Sequence, residues 1–166
     1  VGSEMCIRDR SQMQEDLRRD HVTGVYNAVY LNEEFRPHAE RAAMDGQPVG
    51  VVMLRVNEYW QLREHESSTA ADCCLNMAAG ILQLAVGPDR EKAVLARLND
   101  GFFAVVTLGT PAAKVAKVVR EAMNDSRREF NISLSRRGSF TVAIASAEWG
   151  ETASWDMMLS LAQQRL

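Results

Sequence analysis

Apolar runs of strand length alternate along this chain with amphipathic stretches of helix length. The nearly continuous apolar runs at residues 49–56 and 93–106 predict strands that are buried on both faces of a sheet. Asn99-Asp100-Gly101 interrupts the second run, and Asp-Gly between β-forming residues predicts a hairpin because both turn residues tolerate positive φ. Such a turn presents its polar groups at one end of the sheet. A small-molecule site often lies there, and a purely structural hairpin is the alternative.

Apolar residues at helical spacing predict a first helix after Asn27, which is a good N-cap residue. Pro37 lies inside this pattern, so a kink or a break is expected there. A short helical turn is predicted over residues 59–64, and three longer helices follow. Their predicted caps are Ser67, Ser68 or Thr69 for the first, Thr110 for the second, and Thr152 or Ser154 for the last.

Two late strands are predicted at residues 130–134 and 140–147, around Arg136-Arg137-Gly138. The order of elements is then α, β, α, β, β, α, β, β, α. This order predicts an α+β fold in which a central sheet of about five strands is surrounded by helices, mostly on one face.

Composition indicates a single soluble domain, with 46% hydrophobic and 25% charged residues. The net charge of −3 and the lack of a concentrated basic face argue against nucleic-acid binding. We expect no membrane contact, since no apolar run looks long enough to cross a bilayer. The three cysteines suggest no disulfide framework or zinc site, so we expect buried, reduced thiols and a cytoplasmic location.

The chain divides into three unequal parts. Residues 1–10 have no clear period and look like translated sequencing adapter, so we exclude them from the fold. Residues 11–19 are polar helix formers and look like the remnant of a linker helix. We expect the domain to occupy residues 20–166 and the chain to stop within the domain's last helix.

Four segments carry a family resemblance. Residues 20–27 (DHVTGVYN) match the pattern D-x-L-T-G-L-x-N, and residues 97–103 (RLNDGFF) overlie R-Y-G-G-D-E-F. Residues 59–64 (YWQLRE) stand at F-K-x-I-N-D, and residues 140–145 (FTVAIA) resemble V-T-V-S-I-G. Together they resemble the GGDEF domain, the diguanylate cyclase module of bacterial signalling. The resemblance implies a palm-like, ferredoxin-like sheet of the nucleotidyl cyclase type, with the signature hairpin at the nucleotide site.

The resemblance also implies that two GTP-loaded domains meet and that two divalent ions assist phosphoryl transfer, but this sequence departs from the metal-binding pattern. Arg55 stands at the first metal-ligating Asp, and a guanidinium repels Mg²⁺. Gly101 and Phe102 stand at the two acidic residues of the signature, and Asn57 stands at the second Asp of D-x-D. Asp100 is the acid left in the turn, and a register slip of one residue is the alternative that would bring it to the metal position.

The nucleotide-binding positions are partly changed. Arg63 stands where the family has a guanine-binding Asn, while Asp72 matches the acidic partner. The alternative for Asp72 is a helix N-terminal charge favoured by the macrodipole. Asn99 and Asp100 replace the glycines that let phosphates approach, and Arg55 is a candidate to meet a phosphate in place of the metal.

The family's inhibitory R-x-x-D site is half preserved. Arg90 stands at its Arg and Ala93 at its Asp. Arg90 is therefore a candidate to bind a phosphate or a guanine edge of cyclic di-GMP, and an ordinary surface arginine is the alternative.

These residues favour a catalytically inactive GGDEF-like domain without a metal or other cofactor. It would act as a regulatory, receptor or protein-interaction module in cyclic di-GMP signalling, such as biofilm control. One alternative is an active cyclase with Mg²⁺ at a rearranged site, which would need carboxylates from Asp100, Asp72 or Glu58. Another is a dimerisation module. The expected partners are GTP or cyclic di-GMP, a second copy of the chain, or a partner signalling protein.

Overall fold

The fold is built on a five-stranded mixed sheet. The computed structural model describes residues 13–87, 93–133 and 141–166. The strand order is β1-β3-β4-β2-β5, in which β1 runs parallel to β3 and the other neighbours are antiparallel. The strands are β1 Tyr26–Asn27, β2 Val49–Val56, β3 Ala93–Asn99, β4 Phe102–Leu108 and β5 Val142–Glu148.

Helices surround this sheet. A helix over residues 13–18 (α1) precedes the first strand. Two helices contain a π-helical segment: α2 comprises Tyr30–Phe35 followed by Arg36–Met44, and α3 comprises Tyr59–Gln61 followed by Leu62–Glu66. The others are α4 Ser68–Val86, α5 Ala112–Ser133, α6 Trp149–Thr152 and α7 Trp155–Gln164. The predicted α+β class with about five strands and surrounding helices is confirmed.

The helices cover both faces of the sheet, so the expectation that they lie mostly on one face is wrong. Val52 and Leu54 of β2 pack in one core with α4 and α5, whereas Val51 and Met53 pack in a second core with α2 and α7. Successive residues of a strand point to opposite faces, so an apolar run without alternation requires cover on both sides.

The strand predicted at residues 130–134 is also wrong. Helix α5 continues to Ser133, and residue 134 lies outside the described residues together with the predicted Arg136-Arg137-Gly138 turn. Phe130 follows Met123 by seven residues, which is a helical spacing, and the continuous helix outweighs the β-propensity of Phe130 and Ile132.

Three of the predicted helix caps are confirmed. The side chain of Asn27 accepts a hydrogen bond from Tyr30 N at 2.9 Å. Ser67 and Ser154 accept bonds from backbone N–H groups at the starts of α4 and α7. Thr110 does not cap α5, because the Glu148 carboxylate accepts from Ala112 N at 2.6 Å instead. Pro37 lies at the start of the α-helical part of α2, directly after the π-helical segment, so the helix changes its hydrogen-bonding pattern next to the proline and continues beyond it.

The β3–β4 hairpin is confirmed, with a different turn geometry from the one expected. Asp100 has a φ of 44°, whereas the φ of Gly101 is not positive. The register shifts between Arg97 and Asn99, which marks a bulge just before the turn. Asp100 therefore lies in the turn between β3 and β4.

Helix α4 qualifies by length and composition as a candidate membrane span, contrary to the sequence-based expectation that no run is long enough. Its buried residues, including Ala71, Cys74 and Leu75, pack in the core that α4 shares with α5. Burial raises the pKa of the Cys74 thiol to about 11, while Cys73 is exposed rather than buried as expected.

Candidate functional site

The candidate site lies at the end of the sheet where β2 ends, β5 begins and the β3–β4 turn folds over. Arg55 of β2 is opposite Phe102 of β4 on one side and Ala143 of β5 on the other. Val56 N donates to Gly101 O at 2.9 Å, and Asn57 N donates to Thr141 O at 3.1 Å. These backbone bonds bring together three segments that are distant in the sequence.

Four polar side chains from β2, β5 and the residues beside them form a continuous strand-end network: Arg55, Asn57, Thr141 and Glu58. Arg55 Nε donates to Asn57 Oδ1 at 3.0 Å, and Asn57 Nδ2 donates to Thr141 Oγ1 at 3.0 Å. Thr141 donates to the Glu58 carboxylate through both its backbone N–H and its hydroxyl. The amide oxygen of Asn57 and the carboxylate of Glu58 are therefore already used by neighbouring protein groups.

A half-buried ion pair holds the turn to the loop that follows α1. Arg97 Nη1 contacts Asp20 Oδ1 at 3.0 Å, and Arg97 Nε donates to the carbonyl of Asp100 at 3.0 Å. Thr23 donates to the other oxygen of Asp20 through its N–H and its hydroxyl. Sequence reasoning placed Asp20 and Arg97 in two matched motifs but did not pair them, because 77 residues separate them.

Gly101 occupies a closely packed position. A Cβ at this position would lie 3.0 Å from Tyr59 Cβ and 3.1 Å from the carbonyl oxygen of Val56. Both distances are tighter than ordinary van der Waals contact. The position that the resemblance assigns to a metal carboxylate thus lies directly against the side chain of Tyr59 in α3.

Aromatic side chains also position Arg63, one of the predicted site residues. Arg63 Nη1 donates to Tyr59 Oη at 2.9 Å, and the guanidinium lies 5.6 Å from the centre of the Trp60 ring. Trp60 is 50% exposed and packs edge-on against Tyr59. The sequence did not single out Trp60, although an exposed aromatic beside an arginine is a common base-stacking arrangement.

The structure brings Arg55, Asn99 and Asp100 to the same end of the sheet. Asp72 lies in α4 beyond the first turn, so its alternative role as a charge at the helix N-terminus is not favoured. Within the part of the chain that the structure describes, no hydrogen bond or ion pair joins its carboxylate to the other site residues. Arg90, the inhibitory-site candidate, lies outside the described residues.

The residues at this end of the sheet do not fit a pair of Mg²⁺ ions. Mg²⁺ requires oxygen ligands in near-octahedral geometry, usually including carboxylates. Arg55 is a cation and Gly101 has no side chain, while Asn57 is engaged by Arg55. Across residues 13–87, 93–133 and 141–166, no group of three or more His, Cys, Asp or Glu side chains is arranged to hold a metal ion.

Comparison with solved structures supports the fold. The coiled coil and GGDEF domain of DgcB from Caulobacter crescentus, in complex with c-di-GMP, matches with a TM-score of 0.81 and 19% identity, over 98% of this chain and 85% of that one. The FimX GGDEF domain from Pseudomonas aeruginosa matches with a TM-score of 0.73 and 22% identity, over 89% and 90% of the two chains.

Diguanylate cyclase SiaD from Pseudomonas aeruginosa, in complex with its activator SiaC, also matches, with a TM-score of 0.68 and 21% identity, over 98% of this chain and 64% of that one. At these identities the likeness shows the palm-like fold alone. The family model described as "Diguanylate cyclase, GGDEF domain" matches residues 17–166, nearly the whole chain. The protein therefore belongs to the GGDEF domain family.

Proposed function

We propose that this GGDEF domain is catalytically inactive and acts as a cytoplasmic regulatory or receptor domain of a cyclic di-GMP signalling protein. The observation that carries the proposal is Arg55 at the end of β2, where the family pattern has a metal-ligating Asp, together with Gly101 in the turn. Neither side chain offers an oxygen to a metal ion.

The magnitude of the electrostatic effect supports this proposal. A divalent cation 4 Å from a guanidinium is repelled by about 8 kcal/mol at an effective dielectric constant of about 20. This is opposite in sign to the attraction that an aspartate would provide. The nearby oxygens of Asn57 and Glu58 are engaged by Arg55 and Thr141, so recruiting them would break existing hydrogen bonds.

A role as a nucleotide receptor is consistent with the same positive charge. Arg55 and Arg63 present guanidinium groups at the sheet end, and guanidinium groups bind phosphates in bidentate fashion. Since DgcB binds c-di-GMP in its solved complex, GTP and cyclic di-GMP are the first ligands to test. In this proposal the arginines provide the charge compensation that Mg²⁺ provides in a cyclase.

Two assays test the two parts of the proposal. In the first, the protein is incubated with GTP and Mg²⁺ or Mn²⁺, with a competent cyclase as the positive control. We expect no cyclic di-GMP, and product formation would establish the active-cyclase alternative.

In the second assay, isothermal titration calorimetry with GTP and with cyclic di-GMP is run in the presence of EDTA. We expect metal-independent binding that Arg55→Ala weakens about tenfold, as the loss of one charge-assisted contact predicts. Arg41→Ala, an exposed arginine of α2, is the matched control. Absence of heat with both ligands would leave a protein-interaction role.

The exposed apolar side chains near α1 favour a second candidate function, homodimerisation. Met13 is 64% exposed, Leu17 is 73% exposed, and Val29 at the start of the next helix is 57% exposed. A patch of this kind is typical of a surface that binds another protein. Homodimerisation is tested by comparing the mass of Leu17→Glu with that of the parent chain by light scattering. A dimer that depends on this patch dissociates when a charge is introduced, so the variant should have the lower mass.

A further inference from the structure

Trp60 is a half-exposed aromatic residue near the start of α3, beside the strand-end network. Its side chain is 50% exposed, while that of the neighbouring Tyr59 is 4% exposed. A single exposed hydrophobic residue is normal on a protein surface and needs no explanation of its own. Trp60 differs because neighbouring side chains fix its ring, and because it follows Glu58 of the network by two residues.

Contacts with Tyr59 and Arg63 hold the Trp60 ring in place. The Tyr59 ring meets it edge-on, with ring centres 5.4 Å apart and an interplanar angle of 73°. The Arg63 guanidinium lies 5.6 Å from the centre of the Trp60 ring, within the range of a cation–π interaction. Because the buried Tyr59 also accepts from Arg63 Nη1 at 2.9 Å, both contacts are tied to the core. The indole is therefore positioned while half of its surface stays in contact with solvent.

Tyr59 also connects Trp60 to the end of the sheet that carries Arg55. A Cβ at Gly101 would lie 3.0 Å from Tyr59 Cβ, so the β3–β4 turn packs against this tyrosine. Arg55 is opposite Phe102, the residue that follows Gly101. Arg55 and Trp60 therefore stand at the same end of the sheet, as the phosphate and the base of one nucleotide require.

The chemistry of Trp60 and Arg63 favours stacking on a base over recognition of its edge. The N1–H and amino group of guanine are donors, so selecting guanine through them needs an acceptor, which an indole and a guanidinium do not provide. Adenine and guanine both present the acceptor N7 to a guanidinium. Stacking is available to every base, and a two-ring purine covers more of an indole than a one-ring pyrimidine does. Such a pair selects the size of the base rather than the pattern of its edge.

We propose that Trp60 is the base-stacking residue of the nucleotide site and that this site takes purine nucleotides without selecting guanine over adenine. The inference rests on the proposed receptor function, in which Arg55 meets the phosphates. Arg63 positions the indole through its cation–π contact and adds a second positive charge. The ligand class then widens from GTP and cyclic di-GMP to ATP and other purine nucleotides.

Isothermal titration calorimetry of the full chain in EDTA compares GTP, ATP, UTP and inorganic triphosphate. GTP and ATP should bind with dissociation constants within about threefold of each other, and UTP about fivefold more weakly. Trp60→Ala should weaken GTP and ATP alike, by about tenfold, and leave inorganic triphosphate unchanged, whereas Arg55→Ala should weaken all four. Met44→Ala is the matched control, because Met44 is 87% exposed and lies at the end of α2 that leads into the start of β2, away from Arg55.

Indole fluorescence separates stacking from an indirect effect on the fold. Nucleotide binding should quench the fluorescence of the parent chain, and this quenching should be lost in Trp60→Ala, which keeps Trp149 and Trp155. Trp60→Phe retains an aromatic face and should recover most of the affinity.

Two results would overturn the proposal and leave the receptor function of Arg55 in place. One is a preference for GTP over ATP of more than about tenfold, which would assign base recognition to an acceptor such as the Asp72 carboxylate. The other is a Trp60→Ala variant that binds GTP and ATP as tightly as the parent chain does. Absence of binding to all four ligands would overturn both this proposal and the nucleotide-receptor function.

Discussion

The centre of the sheet and the end that carries the Asp100 turn differ in what occupies the space around the strands. At the centre, Val51 and Val106 are completely buried among apolar neighbours from the helices of the second core. At the site end, Arg55, Asn57 and Thr141 are only half-buried or exposed and are linked by directed hydrogen bonds. Stability should therefore be most sensitive to changes in side-chain volume at the centre and to the loss of a hydrogen-bonding partner at the site end.

This difference explains how the fold and the chemistry of the site can vary separately. The site end is held by backbone bonds, from Val56 to Gly101 and from Asn57 to Thr141, which do not depend on the side chains present there. The side chain at position 55 can therefore vary without loss of the sheet. No comparable freedom exists at the centre, where every side chain fills a defined volume.

The largest expected effect is at the site end. Asp20→Ala leaves Arg97 without its ion-pair partner at a site where the two side chains are only 16% and 13% exposed. We expect a loss of about 3 kcal/mol in the free energy of unfolding, measured by urea denaturation. Asp16→Ala, at an exposed position of α1, is the control and should change stability by less than about 0.5 kcal/mol. Equal stability of the two variants would contradict the role given to the ion pair.

The second effect tests volume at the centre. A Cβ at Gly50 would lie 2.5 Å from Ala112 Cβ and 2.7 Å from Glu148 Oε2. We therefore expect Gly50→Ala to lower the free energy of unfolding by about 2 kcal/mol through overpacking. Gly80→Ala, where a Cβ meets nothing within 4 Å in α4, should instead stabilise the chain by up to about 1 kcal/mol. Thermal unfolding tests the contrast: the midpoint temperature should fall in Gly50→Ala and rise in Gly80→Ala, relative to the parent chain.

A smaller effect is expected in the strand-end network. Thr141→Val keeps the shape of the side chain but removes the hydroxyl that bonds Glu58 and Asn57. We expect a cost of about 1 kcal/mol in chemical denaturation. Thr69→Val, at an exposed position of α4, provides the comparison. If both variants unfold at the same urea concentration, the network adds nothing to stability.

The smallest effect concerns Glu151 of α6, whose carboxylate accepts hydrogen bonds from Arg165 and from Glu148 N. The hydrogen bond from Arg165, aided by that from the Glu148 N–H, lowers the pKa of this carboxyl from 4.5 to about 2. A lowered folded-state pKa means that its contribution to stability is present above pH 4.5 and is lost as the pH falls through about 2. A carboxyl NMR titration should give this low value, and Arg165→Gln should return it toward 4.5. An unchanged pKa in that variant would contradict the assigned cause.

Much of the architecture was predictable from sequence because local patterns report local structure. The β3–β4 hairpin, the buried strand β2 and the caps at Asn27, Ser67 and Ser154 depend on residues close together in the chain. The two-residue strand β1 was not predicted, since Tyr26 and Asn27 form a strand only through pairing with Ala96 and Arg97. Strand propensity cannot report a partner that lies 70 residues away.

At the candidate site, the sequence by itself determined which residue types stand at the positions that the family resemblance assigns to metal and nucleotide binding, because these follow from motif spacing. The tertiary structure decided which of them meet: Asp20 with Arg97, Asn57 with Thr141, and Gly101 with Tyr59. It also decided that helices cover both faces of the sheet and that Glu148, not Thr110, caps α5. The physical reason is that hydrogen bonds and close packing depend on distances in space, and sequence patterns encode only the periodicity of each element.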